Sequence, residues 1–343
     1  MASNLEAPAW RSEEYGRPHV IRTLPVLVVH AHSLCNCRCV MCDIWKTREG
    51  HEFRAQDLEP HLSSIRRLGV RWVVLTGGEP LLNPELPAVC SMLRNEGIRL
   101  TLLTTGLLLQ KLATGVAESF DDVIVSLDGP PKIHDAIRRV EGAFALIQSG
   151  VLALRGLRND IQISARCTVQ KANHHSLCAT VEAARILRLS AISFLAADLA
   201  STAFNRPLVW PVSRQSEIGL TLAELAVLEA EIEHLVEIQV KEPEGSFIVE
   251  SPEKLRRIAR HFRSHLGLEK NESPVCNAPW VSAVVEIDGT VRPCFFHKPI
   301  GNLRDGSLET VLNSDTARAF REGLDVVSNP MCNRCVCSLH YRE

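Results

Sequence analysis

The stretch Ser33-Leu34-Cys35-Asn36-Cys37-Arg38-Cys39-Val40-Met41-Cys42-Asp43-Ile44-Trp45 places four of the chain's twelve cysteines within eight positions. Cys35, Cys39 and Cys42 leave three residues and then two between thiolates, a spacing that lets a short loop wrap one face of a cubane iron–sulfur cluster. Three thiolates for four irons leave one iron open. A zinc site is the alternative, with Cys37 as fourth ligand, because zinc takes tetrahedral thiolate sets. Structural zinc cysteines come typically as C-x(2–4)-C pairs from separate segments, which favours the cluster. Cys37 is then a spare, its small side chain turned away.

Upstream, residues 25–31 form a continuous apolar run of strand length, as in a strand buried on both faces. Residues 71–76 form a second run, followed at once by Gly77-Gly78-Glu79-Pro80, where glycines permit close backbone approach to a ligand. The alternation continues with strands at 98–104, 122–126, 161–169 and 191–195. Helical stripes fall at 55–68, 85–96, 107–116, 132–154 and 174–187. Strands alternating with helices imply an α/β fold with parallel pairing and right-handed crossovers. Residues 207–215 read as a loop. Two amphipathic helices follow at 221–238, opened by a Thr221/Glu224 capping box, and at 251–266. The basic face of the second is solvated or attracts an acidic electron donor.

Cysteines return at Cys276, Cys294, Cys332, Cys335 and Cys337. Residues 281–287 and 290–293 flank Asp288-Gly289, a hairpin turn that brings Cys294 back towards Cys276. A zinc knuckle is the alternative for this region alone. A helix over 307–320 is capped by Ser307. Cys90, Cys167 and Cys178 lie in helical or strand patterns and are expected in the core.

At 343 residues, 45% hydrophobic and 23% charged, the chain has enough apolar material for one large or two modest domains. A net charge of −2, with Arg and Lys scattered, argues against nucleic acid as a partner. The first residues match neither a signal peptide nor a transit peptide, and no apolar run reaches the ~18 residues of a spanning helix. The expected location is the cytosol without membrane attachment, where clustered thiols mean metal or redox chemistry before disulfides.

The Cys-x-x-x-Cys-x-Met-Cys loop, with Met41 in the hydrophobic place, and Gly-Gly-Glu-Pro after the second strand resemble the radical S-adenosylmethionine (SAM) superfamily. Cys276, twelve residues, Gly289, four residues and Cys294, then the Cys332/Cys335 pair, resemble its SPASM or twitch auxiliary-cluster region. The resemblance implies a partial (β/α)6 TIM-like barrel over 25–210, after a lead-in over 1–24. A helical linker over 211–275 and a small α+β SPASM/twitch domain over 276–343 would follow. It implies two [4Fe-4S] clusters. Cys35, Cys39 and Cys42 would hold the SAM-binding one; Cys276, Cys294, Cys332 and Cys335 would hold the auxiliary one, with Cys337 as alternative ligand. Met41, Gly77, Gly78, Glu79, Pro80, Thr105, Ser126, Asp128 and Arg166 would line the SAM site. Because ligands of such barrels sit at the carboxyl ends of strands, Asp198 after the sixth strand is a substrate-side candidate.

The implied activity is reductive cleavage of SAM to a 5′-deoxyadenosyl radical that takes a hydrogen atom from a small polar substrate. A sugar or nucleoside undergoing dehydration, oxidation or decarboxylation is the expectation, since 24 leading residues cannot encode a leader-binding domain. A flavodoxin- or ferredoxin-type protein would supply the electron. The alternatives are a maturase of ribosomally made peptides, and a non-catalytic iron–sulfur carrier or sensor.

Overall fold

The apolar runs become strands β1 (Val26–His32), β2 (Trp72–Gly77), β3 (Arg99–Thr104), β4 (Asp122–Ser126), β5 (Gln162–Val169) and β6 (Ala191–Ala196) in a computed structural model that describes residues 19–241 and 247–342. The first eighteen residues of the expected lead-in lie outside the described ones. The six strands pair in parallel in chain order, so each crossover lands beside the strand before it. The parallel pairing is as expected from the α/β alternation, and the open barrel as the resemblance implies.

The auxiliary region extends the same sheet. Strand β7 (Ser282–Val285) pairs in parallel with β1, with Val26 opposite Ser282. Strands β8 (Thr290–Arg292) and β9 (Gly301–Asn302) add antiparallel to it, giving the order β6-β5-β4-β3-β2-β1-β7-β8-β9. Gly289, at φ 83°, makes the β7–β8 turn and would place a Cβ 3.0 Å from Asn302 Oδ1. At the other edge, residues 247–250 cover β6: Ile192 N donates to Phe247 O and Val249 N to Ile192 O.

Side chains alternate along each strand. One face carries Leu27, Val29, Val73, Leu75, Leu100, Leu102, Val123, Val125, Ile163, Ala165, Ala283 and Val285, all buried under the surrounding helices. The opposite face is concave and more polar, with His30, Thr76, Thr101, Ser126, Arg166 and Ser193.

Three expected helices are broken, for local reasons: the stripe over 55–68 is Ala55–Leu58 and Leu62–Arg67, with a 3-10 turn at Glu59–His61, which contains Pro60, between them. The stripe over 132–154 is two helices, Pro131–Arg138 and Ala143–Leu157, separated where Arg139 (φ 54°) and Gly142 (φ 75°) are left-handed. The stripe over 307–320 is Leu308–Leu312 and Asp315–Glu322. Ser307 caps the first as expected, through Thr310 N, and Ser314 caps the second through Ala317 N. Part of the loop expected over 207–215 is helical, Val212–Ile218, with Pro211 as its N-cap residue. Among the described residues no single helix is long and apolar enough to cross a membrane.

Asn83, directly after the Gly-Gly-Glu-Pro turn, is buried and donates through Nδ2 to Ala31 O and Phe53 O, both at 2.9 Å. It joins β1, the chain beyond the cysteine loop and β2 at one point. Asn83→Ala takes the side-chain donor from the Phe53 carbonyl, while Ala31 O keeps its bond from Phe53 N, so the expected cost is about 1–3 kcal/mol. A lowered melting temperature in circular dichroism, with no new secondary structure, checks it.

Candidate metal centre

The cysteine loop follows β1 and is anchored from two sides. From β2, Gly78 N donates to His32 O and Glu79 N to Leu34 O, each at 2.8 Å. This explains the glycines: a Cβ at Gly78 would sit 2.1 Å from Leu34 O, and one at Gly77 (φ 127°) 2.7 Å from His32 O. The close approach is to the cysteine loop's own backbone. From the helix Pro131–Arg138, the carbonyls of Arg138 and Ile137 accept from Arg38 N and Val40 N at 3.0 Å.

Glu79 is fully buried and consumed internally. It accepts from Thr104 Oγ1, Thr105 N and Thr105 Oγ1 at 2.7 Å and from Leu81 N at 3.1 Å; burial pushes its pKa up, against those bonds. Pro80 opens the short turn Pro80–Leu82 that Glu79 caps. Thr105 Oγ1, whose one hydrogen goes to Glu79, also lies 2.9 Å from Asn36 Oδ1, while Asn36 Nδ2, beside Cys35, is buried without a partner. That orphan donor, next to the thiols and the Gly77-Gly78 backbone, fits a ligand carrying acceptor oxygens.

Cys35, Cys37, Cys39 and Cys42 converge. Cys37, expected to turn away, is buried with its thiol in hydrogen-bonding reach of both Cys35 and Cys39. Its hydrogen bonds lower the Cys35 thiol and bring Cys39 down to about 6 against burial, and Arg138 also draws Cys39 down. Arg138 Nη1 lies 3.4 Å from Cys39 Sγ. Cys42 is pushed up to about 12 by burial and turns back on Cys39, its N donating to Cys39 O at 3.3 Å. A polarised thiol pair, a third thiol on the next turn and a buried cation beside them suit an anionic thiolate-ligated cluster.

Two residues expected at the ligand sites are engaged with other side chains. Asp128 is buried in an ion pair with Arg138, Oδ2 to Nη2 at 2.6 Å, and accepts from Thr168 N at 2.9 Å through Oδ1. It holds the arginine that faces Cys39 and has no free edge for a ribose. Asp198 is likewise engaged: its Oδ2 accepts from Arg206 Nη1 at 2.6 Å and Ser201 Oγ at 2.5 Å. Arg206 stacks on Trp210, 3.6 Å from the ring centroid, and donates to Met41 O at 3.3 Å; Trp210 donates to Asp43 Oδ2 at 2.9 Å. Asp198 therefore steadies the cysteine loop around Met41 and is not a free substrate-side acid.

Ser126 and Arg166 do meet. They are register partners on the concave face, Arg166 is also opposite Ser193, and its Nε donates to Ser193 Oγ at 3.2 Å. Beside them Glu250, half-buried and raised by burial, accepts from Phe194 N at 2.8 Å. His30, on the same face, is lowered to about 4 by burial and then by Arg292. Neither was evident from spacing.

In the auxiliary region Cys276, Cys294, Cys332, Cys335 and Cys337 gather closely enough for their charges to interact. Arg257 Nη2 donates to Cys335 O at 2.5 Å, Cys337 lies in the field of Arg166, and His297 Nε2 is 3.4 Å from Cys332 Sγ. The basic face of Pro252–His265 is neutralised elsewhere: Arg256 pairs with Glu233, Arg260 with Glu272 and Arg263 with Glu229 and Glu269. A cleft of about 720 Å³ between residues 50–61 and the β7–β8 turn is lined by none of the candidate site residues.

The radical SAM superfamily pattern matches residues 32–170, and that of the SPASM iron-sulfur cluster-binding domain matches residues 276–336. The segment 32–170 belongs to the radical SAM superfamily. It is 28% identical over 203 residues to the Fe-coproporphyrin III synthase of Methanosarcina barkeri, covering 56% of this chain and 49% of that one. To a probable GTP 3',8-cyclase of Methanococcus maripaludis it is 37% identical over 98 residues, 27% of this chain and 33% of that one. The chain thus spans about half the length, or less, of these relatives. Streptococcus suis SuiB bound to S-adenosylmethionine shares the fold, with a TM-score of 0.64 and 16% identity over 93% of this chain and 74% of that one. Two [4Fe-4S] clusters and SAM are the cofactors of this radical SAM chain.

The spacing of the cysteines, rather than their proximity, distinguishes the expected ligands from Cys37. Cys35→Ala or Cys39→Ala should lower iron after anaerobic reconstitution from about eight to about four per chain, while Cys37→Ala keeps about eight. Asp128→Ala, which leaves Arg138 unpaired, should cost about 3–5 kcal/mol of stability and loosen the loop cluster, while the auxiliary signal in electron paramagnetic resonance persists. Gly78→Ala should likewise lose the loop cluster, because the clashing atom is backbone.

Proposed function

We propose that this radical SAM enzyme abstracts a hydrogen atom from a small polar substrate that carries an anionic group, held over the concave face between the two cysteine sets. The observation that carries the reading is the belt Ser126–Arg166–Ser193. These residues lie side by side on three neighbouring strands, near the carboxyl ends of β4 and β5. Arg166 spends its Nε on Ser193, and a guanidinium fork suits a carboxylate or phosphate. Coproporphyrin and GTP, named for two relatives, are anionic, which widens the sugar or nucleoside expectation to acids and nucleotides.

When bound at Cys35, Cys39 and Cys42, the cluster supplies the electron that cleaves SAM to methionine and a 5′-deoxyadenosyl radical. The chain's own part is placement. Asn36 Nδ2 and the Gly77-Gly78 backbone orient SAM, Arg138 balances thiolate charge beside Cys39, and Arg166 fixes the substrate's anionic end. Glu250, close to that end and raised by burial, is placed to take or return a proton. A flavodoxin- or ferredoxin-type donor completes the reading. The pairing of the Pro252–His265 arginines directs the search for its docking face elsewhere.

The test is anaerobic. Reconstituted protein with dithionite and SAM should yield 5′-deoxyadenosine, and a panel of deuterated nucleotides, sugar acids and porphyrin carboxylates should identify which label reaches its 5′-methyl group. Arg166→Gln should keep substrate-independent SAM cleavage and lose at least tenfold in substrate-dependent deuterium transfer. Protein holding about eight irons that yields no 5′-deoxyadenosine contradicts the enzyme reading. An Arg166→Gln variant with unchanged transfer contradicts the anion site.

A further inference from the structure

A third cluster of ligand-type side chains lies away from both iron–sulfur regions, on the outer helices. Cys178 is the second residue of Leu177–Ile186, and Glu231 and His234 sit three apart, on one face, in Leu222–Lys241. A Cys178 Sγ, a Glu231 carboxylate oxygen and a His234 ring nitrogen all lie within 4.8 Å of one another. Neither matched family segment reaches them, since these end at 170 and begin again at 276.

We propose that Cys178, Glu231 and His234 bind a divalent zinc ion that clamps the helix following β5 to the long helix leading towards the auxiliary region. Thiolate, carboxylate and imidazole are the ligand types zinc accepts, at bond lengths of about 2.0–2.3 Å. Donors on such a tetrahedron lie about 3.3–3.8 Å apart, so small side-chain rotations close the present arrangement around an ion. Glu231 is already fixed: its Oε2 accepts from Cys178 N at 2.9 Å and its carbonyl lies 3.9 Å from Cys178 Sγ, which presents both residues to one point. One thiolate and one carboxylate neutralise the 2+ charge, and the thiol proton leaves to solvent as the Zn–S bond forms, with no change of oxidation state. His234 is exposed, which gives the ion an entry side, and water completes the tetrahedron. Cys178 is half-buried and packs against the edge of the core, whereas Cys90 and Cys167 are within it as expected.

The experiment uses full-length protein with both iron–sulfur clusters reconstituted, exposed anaerobically to zinc chloride and then desalted. The expected result is one zinc per chain with iron unchanged, and zinc-edge X-ray absorption showing a single sulfur neighbour. His234→Ala, an exposed substitution that leaves the fold intact, should keep its iron and lose that zinc. Cys178→Ser should lose the sulfur neighbour. Equal zinc in wild type and His234→Ala, zinc gained only as iron is lost, or an edge with no sulfur or several sulfurs overturns the proposal.

Discussion

The buried contact between Asp128, Arg138 and Cys39 governs the geometry of this molecule. A guanidinium without solvent is tolerable only with partners, and Arg138 has a carboxylate at 2.6 Å and a thiol at 3.4 Å. Each partner belongs to a different element. Asp128 follows β4, Arg138 ends the helix after it, and Cys39 lies on the loop after β1. The pair therefore sets the distance between the fourth strand and the first loop, across the open side of the sheet. It also places a fixed positive charge beside thiolates that would otherwise repel one another in a buried loop.

The opposite wall of the loop is held by the absence of side chains. At Gly77 and Gly78 the end of β2 hydrogen-bonds the backbone of the segment entering the cysteine loop, at separations that leave no room for a Cβ. Glu79 then turns inward to collect the end of β3 through Thr104 and Thr105. Cation on one side, backbone on the other and carboxylate beneath leave the loop little freedom. The Arg206–Asp198 pair holds its far end at Met41, and Arg214 donates to Val40 O.

Much of this architecture was legible in the residues. The six apolar runs place all six parallel strands within about two residues, because a strand buried on both faces has to be continuously apolar. The cysteine spacings place both thiol sets, because a cluster tolerates few loop lengths. What did not show was pairing at a distance. A carboxylate after a parallel strand looks the same whether it meets a ligand or a buried arginine, and the partners of Asp128 and Asp198 lie ten and eight residues on, at no diagnostic spacing. The join of β7 to β1 was hidden in the same way, since two buried runs more than 250 residues apart carry no mark of adjacency. The breaks in the stripes at Arg139–Gly142 and at Asn313–Ser314 were local but subtle. Apolar periodicity continued through them while the backbone did not.

The join at β1 explains why one sheet can serve two metal regions. By adding β7 to the edge of β1, the auxiliary segment carries its cysteines to the flank of the barrel, and the residues after 330 return towards the helix Pro252–His265, where Arg257 takes the Cys335 carbonyl. Cys337 then feels Arg166, a residue of β5, although the two lie on opposite sides of the chain's topology. Arg166 is thus common to both halves: its strand neighbours are Ser126 and Ser193, and its field reaches the auxiliary thiols. In the proposed function, a substrate held at that guanidinium would therefore lie near Cys337 of the auxiliary set.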